Sequence, residues 1–268
     1  MATTTDVSPL CDSFNTQTST CERRLGGSTR RVIEYATSLL SGLPENPNIL
    51  DSACGPAYIY AADVASGMIA LLENLINLNG WQDRVETSVM DSVSLSYADE
   101  IFDVSITNFG IFFYSDPIIS AKELNRTLKS GGKAVVTCWK EVPFYPILHA
   151  VQAIIRPGTK PIAMSTLDRW TQRETMELTL KAGDFHNVEI HEKEVMRWNE
   201  GVHEAAKGFT DNFVNMVGDQ WPEEDKKQLL GARKLLLEEN KNGFVVKSGE
   251  NIGFRMVAWI AIATKTML

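Results

Sequence analysis

An α/β fold with a doubly wound, mostly parallel sheet of seven strands is what this sequence predicts, on three observations. Short apolar segments alternate with segments of helical period through the first half of the chain, the pattern of successive βαβ units. A strand-like Asn48-Ile49-Leu50 runs straight into Asp51 and the small-residue turn Ser52-Ala53-Cys54-Gly55-Pro56-Ala57, and open α/β sheets bind ligands at such carboxyl ends. With 268 residues, 44% hydrophobic and 22% charged, the chain is long enough for one large domain with a full core.

The elements follow in order. Met1 to Thr20 is polar, with Leu10 and Phe14 its large apolar groups, and Glu22 to Leu40 reads as a helix. Gly42, Pro44 and Pro47 break that helix before the first strand, Asn48 to Leu50. Further strands are expected at Tyr58 to Ala62, Val85 to Val89, Phe102 to Thr107 and Lys133 to Cys138. Helical periodicity fills Ser66 to Leu78 and Asp116 to Leu128 between them, and a double glycine, Gly131-Gly132, ends the second helix and feeds a strand. Two late strands, Val188 to Trp198 and Ile252 to Thr264, bracket two helices at Gly201 to Met216 and Glu223 to Asn240. So long a connection is usually functional. The expected organisation is one domain over 1–268: an N-terminal lid and helix (1–40), a cofactor-binding core (48–140), and substrate-cap insertions at 141–165 and 199–250.

Composition excludes several classes. A formal net charge of −8 and a pI near 5.1 argue against a nucleic-acid surface, which needs clustered Lys and Arg. The four cysteines, Cys11, Cys21, Cys54 and Cys138, have no Cys-x-x-Cys spacing, so neither a disulfide framework nor a metal site is expected and a reducing cytoplasm fits. The first residues lack a signal-peptide pattern, and no apolar run reaches the roughly 18 residues of a membrane span. No membrane partner is expected, and composition implies no oligomeric state.

The strand ends carry the chemistry. A dinucleotide loop wants Gly-x-Gly-x-x-Gly so that backbone amides approach a pyrophosphate; here Gly55 is the lone glycine and Asp51 would repel phosphate. An acid beside a small-residue turn suits a ligand with a cationic amino group, such as the methionine part of S-adenosylmethionine. At the second strand end Asp63, followed by Val64, offers a carboxylate to a ribose diol; it also reads as the cap of the helix carrying Met68. The third gives Met90-Asp91-Ser92, an acid for an adenine amino group with Met90 on the ring face. The fourth ends in Asn108-Phe109, an amide and an aromatic at the expected reaction centre.

Taken in order, these residues resemble the class I S-adenosylmethionine-dependent methyltransferases, particularly the UbiE-like small-molecule group. Phe102-Asp103-Val104 resembles its "FD-x-V" strand, and Leu128-Lys129-Ser130-Gly131-Gly132 its "L-K-P-G-G" turn with Ser130 in place of proline. Glu22 to Arg30, the Asp51 turn and Trp139 to Pro146 are similar to fungal secondary-metabolite methyltransferases, a group that includes the gliotoxin thiol methyltransferase. The resemblance implies a Rossmann-like methyltransferase fold, S-adenosyl-L-methionine as cofactor and a small-molecule acceptor methylated on O, S, N or C. It places the cofactor against Asp51, Ser52, Ala53, Gly55, Asp63, Val64, Met68, Met90, Asp91, Ser92, Asn108 and Phe109.

One departure stands out. Parallel neighbouring strands need a crossover of about a dozen or more residues, usually a helix, yet Tyr58 directly follows Ala57 and Asp63 lies 12 positions beyond Asp51. Three readings are open: a variant that lost the helix, with an impaired cofactor site; a different strand arrangement; or residues missing from the sequence between Ala57 and Tyr58. The last is favoured, because Pro56-Ala57 and Tyr58-Ile59 each match the family on their own side. A methyltransferase-like binding or regulatory protein is the rival expectation.

Methyl transfer is an in-line displacement, so holding the acceptor close and excluding water supply much of the catalysis. Phe14, Trp139, Phe144, Tyr145, Trp198 and Phe213 are the expected substrate-contacting aromatics, and Phe109 stands beside them; ordinary core packing accounts for such residues equally well. An oxygen or thiol acceptor also calls for a base. Of four histidines, His149, after Phe144-Tyr145-Pro146, is the candidate.

Overall fold

In the computed structural model, residues 27–50, 58–162, 165–208, 221–240 and 243–266 are described. Eight strands form one sheet: β1 (Asn48–Leu50), β2 (Tyr58–Asp63), β3 (Val85–Val89), β4 (Phe102–Asn108), β5 (Leu128–Glu141), β6 (Asn187–Asn199), β7 (Val246–Ser248) and β8 (Asn251–Thr264). Their order is β3-β2-β1-β4-β5-β8-β6, with the three-residue β7 paired to β8. Strands β1 to β5 run parallel, and β8 is antiparallel to both β5 and β6. The reversal of strand order at β1 and β4 creates the crevice at their carboxyl ends where such sheets bind ligands.

Strands β4, β5 and β8 sit centrally because their sequences bury residues on both faces. Val135 and Val136 are both fully buried although successive side chains point to opposite faces, so helices cover the sheet on each side. Helix α1 (Ser28–Ser38) turns Val32, Ile33 and Ala36 inward and packs on β5 and β6. Helix α2 (Ser66–Asn79) packs on β2 and β3, burying Ile69 and Ile76. Asp116 starts α3 (Pro117–Thr127): its Oδ1 accepts from the Ile118 and Ile119 amides at 2.9 and 3.0 Å, with Pro117 at the first helical position.

Helix α4 (Phe144–Ile155) follows β5, and α5 (Ser165–Trp170) and α6 (Arg173–Ala182) precede β6. The α3–α6 crossing requires a glycine: a Cβ on Gly183 would lie 2.4 Å from that of Ala121. After β6, residues 201–208 are helical, and α7 (Glu223–Glu239) leads to β7 and β8. Ile147, Leu148 and Val151 of α4 join Leu229, Leu236 and Leu237 of α7, with Trp221, Ile252 and Phe254, in a second hydrophobic cluster beside the main core. Arg156 lies over the Trp221 ring at 5.3 Å.

Several expectations are corrected in detail. Helix α3 stops at Thr127 and β5 begins at Leu128, so Gly131 and Gly132 stand inside the opening of a strand rather than at a helix end. The register jumps there from Phe102↔Leu128 to Val104↔Lys133. Gly131 is left-handed at φ 77°, and a Cβ on Gly132 would come within 2.8 Å of the Lys129 carbonyl. Helices α5 and α6 were absent from the sequence reading, though Met176, Thr179 and Leu180 bury one face of α6 at spacings of three and four. The expected helix at Glu22 to Leu40 is described from Ser28 to Ser38, and the outer parts of the 201–216 helix lie outside the described residues.

The junction at Tyr58 now has a frame. β1 and β2 are parallel neighbours in register Asn48↔Tyr58, Ile49↔Ile59 and Leu50↔Tyr60, which overturns the reading of a different strand arrangement. The sequence leaves seven residues, 51–57, between the two strands, fewer than the roughly dozen that a crossover helix needs, and the Ala57–Tyr58 junction at which missing residues are expected lies outside the described residues.

Candidate functional site

The carboxyl ends of β2, β3 and β4 lie side by side. Asp63 pairs with Val89 in the β2–β3 ladder, and the Met90 amide donates to the Asp63 carbonyl at 3.2 Å. The Asp63 side chain does not sit at the cap position of α2, which belongs to Ala65; its Oδ1 instead accepts from the Ala65 amide at 2.7 Å. Among the described residues this is its only hydrogen bond. Burial pushes the Asp63 carboxyl above its ordinary range, with the Ala65 amide pulling the other way. A half-buried acid with one donor retains acceptor capacity for a ligand.

Apolar groups flank this acid. Val64 and Val89 are 44% and 56% exposed, Met90 is half-buried against the main core, and Met68 lies in the first turn of α2. Asp91 shapes the next turn, its Oδ1 accepting from the Val93 amide at 3.1 Å and its carbonyl from the Ser94 amide at 3.0 Å. Ser92 Oγ reaches Ser120 Oγ of α3 at 3.1 Å.

The β4 end is held differently. Asn108 Oδ1 accepts from the Thr137 hydroxyl at 2.8 Å, and the Phe109 amide donates to the same Oγ1 at 2.9 Å. Phe109 is left-handed at φ 55°, a rare state for a bulky residue that clusters at functional sites. Its ring stacks on Trp139 of β5, centroids 4.2 Å apart and planes 28° from parallel. Phe109, just after β4 and 8% exposed, and the half-buried Trp139 of β5 thus form an aromatic pair next to Asn108.

The other expected positions are scattered. Phe144 and Tyr145 open α4 with their rings edge-to-face at 5.5 Å, and burial with Asp168 nearby raises the Tyr145 hydroxyl pKa. His149 donates its Nε2–H to the Ile162 carbonyl at 2.9 Å, leaving Nδ1 alone to take a proton. With Gln152, which bonds Thr159, Lys160 and Ile162, it fastens the segment after α4. Trp198 stands five residues beyond Lys193, the β6 residue in the Trp139 row, roughly 16 Å further along the strand. It lines a groove of about 630 Å³ with Arg31, Glu34, Tyr35 and Met196, away from the Phe109–Trp139 pair. Asp51, Ser52, Ala53, Gly55, Phe14 and Phe213 lie outside the described residues.

What sequence reading missed is Thr137. It hides inside an apolar strand, and the register Asn108↔Thr137 is what gives it a role. The Asp103 of the "FD-x-V" strand has the opposite character: it accepts from Lys129 Nζ at 2.8 and 2.9 Å and from the Asn48 amide at 2.9 Å, at the amino edge of the sheet.

Residues 42–136 match the family model described as a methyltransferase domain. The match runs from the segment before β1 into β5, across the strands whose carboxyl ends carry Asp63, Asp91 and Asn108. Among relatives, it is 25% identical over 202 residues to a demethylmenaquinone methyltransferase of Clavibacter sepedonicus, covering 69% of this chain and 81% of that protein. The fold is shared with the YcgJ protein of Bacillus subtilis (TM-score 0.54, 14% identity, 90% of this chain and 99% of that one). It is also shared with a phosphoethanolamine N-methyltransferase of Haemonchus contortus solved with S-adenosylhomocysteine (TM-score 0.56, 14% identity, 98% of this chain and 61% of that one).

Proposed function

We propose that this chain transfers the methyl group of S-adenosylmethionine to a small hydrophobic or planar acceptor resting against Phe109 and Trp139. The observation that carries this reading is the stacked aromatic pair at the ends of β4 and β5, directly beside Asn108. The side chains present fit an adenosine: Asp63 retains an acceptor for a ribose diol, Val64, Met68 and Met90 offer apolar contacts for a purine, and Asp91 and Ser92 supply polar groups at its edge. When bound, the cofactor supplies a sulfonium methyl open to in-line attack.

An acceptor held against Phe109 and Trp139 would present its lone pair to that methyl group and release its proton to water or a base. The residues of this chain contribute placement: Phe109 and Trp139 hold the acceptor's plane and exclude water, while Asn108 sits at the reacting edge. His149 contributes a base only through Nδ1, since its Nε2–H is held by Ile162. The α4–α7 cluster is proposed as the cap over this pocket. The relative named as a demethylmenaquinone methyltransferase supports a small-molecule acceptor, and the likeness of the Glu22 to Arg30 and Trp139 to Pro146 segments to fungal enzymes supports a secondary metabolite. Incubation with methyl-labelled cofactor and a panel of thiols, phenols and amines tests this: label in a small molecule is expected, and binding of cofactor with no transfer across the panel would count against it.

The seven-residue crossover favours a second reading, a methyltransferase-like binding protein with an impaired cofactor site. Calorimetric titration with S-adenosylmethionine separates the two, since absence of binding to the purified full-length protein supports this second reading.

A further inference from the structure

We propose that Thr137 is a positioning residue that fixes Asn108 as a hydrogen-bond donor to an anionic oxygen in the site. This rests on the proposed cofactor site but assigns a role in it to a residue outside the strand ends. Thr137 is wholly buried on β5, directly opposite Asn108 in the ladder. A backbone N–H can only donate, so at 2.9 Å from the Phe109 amide its Oγ1 accepts. Its single proton is then free for Asn108 Oδ1 at 2.8 Å.

Two consequences follow from that one hydroxyl. Asn108's oxygen is used, and among the described residues its amide nitrogen makes no hydrogen bond, so both N–H groups remain for a ligand acceptor. The same hydroxyl satisfies the amide of Phe109 in its left-handed turn, which keeps that ring stacked on Trp139. The ligand group met by Asn108 is therefore a hydrogen-bond acceptor, an ammonium is excluded because it can only donate, and an anionic oxygen gives the strongest bond. Two sources share this chemistry: the carboxylate of the cofactor, or an ionised oxygen of the acceptor.

The test compares Thr137→Val, which keeps shape and loses the hydroxyl, with Thr137→Ser, which keeps the hydroxyl. Calorimetry with S-adenosylhomocysteine and its decarboxylated analogue, together with KM and kcat, separates the sources. If the cofactor carboxylate is the partner, Thr137→Val binds S-adenosylhomocysteine roughly tenfold or more weaker, binds the decarboxylated analogue as wild type does, and Thr137→Ser restores the difference. If the acceptor oxygen is the partner, cofactor affinity holds, kcat falls by a similar factor, and Thr137→Ser again restores it. Amide exchange supplies a readout that needs no cofactor: Phe109 protection is expected in wild type and Thr137→Ser and is lost in Thr137→Val. Wild-type-like binding, turnover and protection in Thr137→Val, or an equal loss in Thr137→Ser, would overturn the proposal. Wild-type protein that binds no cofactor refutes the proposed function instead, and the exchange result then decides the role of Thr137.

Discussion

The two edges of the sheet use the same residue types for opposite ends. At the amino edge, Asp103 takes three hydrogen bonds from Lys129 and the start of β1. Arg126, near the end of α3, makes a two-pronged pair with Glu123 at 2.8 Å for each bond and also reaches Asp99 and the Leu95 and Tyr97 carbonyls. Glu123 accepts from the Leu95 amide as well, and Arg126 beside it lowers its carboxyl pKa. At the carboxyl edge, Asp63 has one neighbouring amide and Asp91 orders its own turn. A well-partnered acid stabilises a fold, whereas an acid left with acceptor capacity and a raised pKa is the candidate for a ligand under the proposed function.

Substitutions that exchange these characters test the contrast. Asp63→Asn is expected to weaken binding of S-adenosylhomocysteine most, by about 2–3 kcal/mol, because hydrogen bonds to a charged acceptor are lost. Its melting temperature should hold or rise, since a buried charge is removed, and calorimetry with thermal unfolding reads both. Arg126→Ala should show the reverse, a loss of about 2 kcal/mol of stability in urea unfolding as Glu123 loses its partner and the 95–99 segment its anchor. Asp103→Asn belongs with Arg126 and should cost about 1–2 kcal/mol through the Lys129 and Asn48 bonds, with cofactor affinity within twofold of wild type.

The pH dependence sharpens the same contrast. The Asp63 carboxyl titrates above its ordinary range in the folded chain, so the native state holds that proton more tightly than the unfolded state does. Its contribution to stability is therefore least favourable when ionised and improves as pH falls through the raised pKa. Ribose hydroxyls bond more strongly to the ionised form, so cofactor affinity should be full above that pKa and fall below it, and Asp63→Asn should flatten the profile. The smallest effect is expected at Trp198→Ala: that ring is 45% exposed and lines the α1 groove, so initial-rate kinetics should change less than about twofold.

How much of this was legible follows from where the information lies. The strands at Asn48 and Phe102 were readable because buried parallel strands are short, apolar and bounded by turn residues, and the edge strand at Val85, none of whose residues is buried, because its β-branched residues lie between turns. The strand-end residues Asp63, Asp91 and Asn108 were readable because each is a polar residue following an apolar run. Helix α6 escaped, since three residues per two turns in a polar segment give a faint periodic signal, and Trp198 was grouped with Trp139 because one-dimensional order says nothing about a strand that extends past the sheet edge. His149 stood near an aromatic pair in sequence, but its Nε2 is held by a carbonyl 13 residues away.

By itself, then, the sequence determined the order of strands and helices apart from α5, α6 and β7, the acids at the strand ends and the shortness of the crossover at 51–57, all of which are local or depend on counting residues. Only the tertiary structure decided which acid is saturated and which is open, and that Thr137 bonds Asn108 and Phe109 at once. Those distinctions depend on hydrogen-bond partners 26 or more residues apart, and such partners are fixed by sheet register, which no local pattern contains.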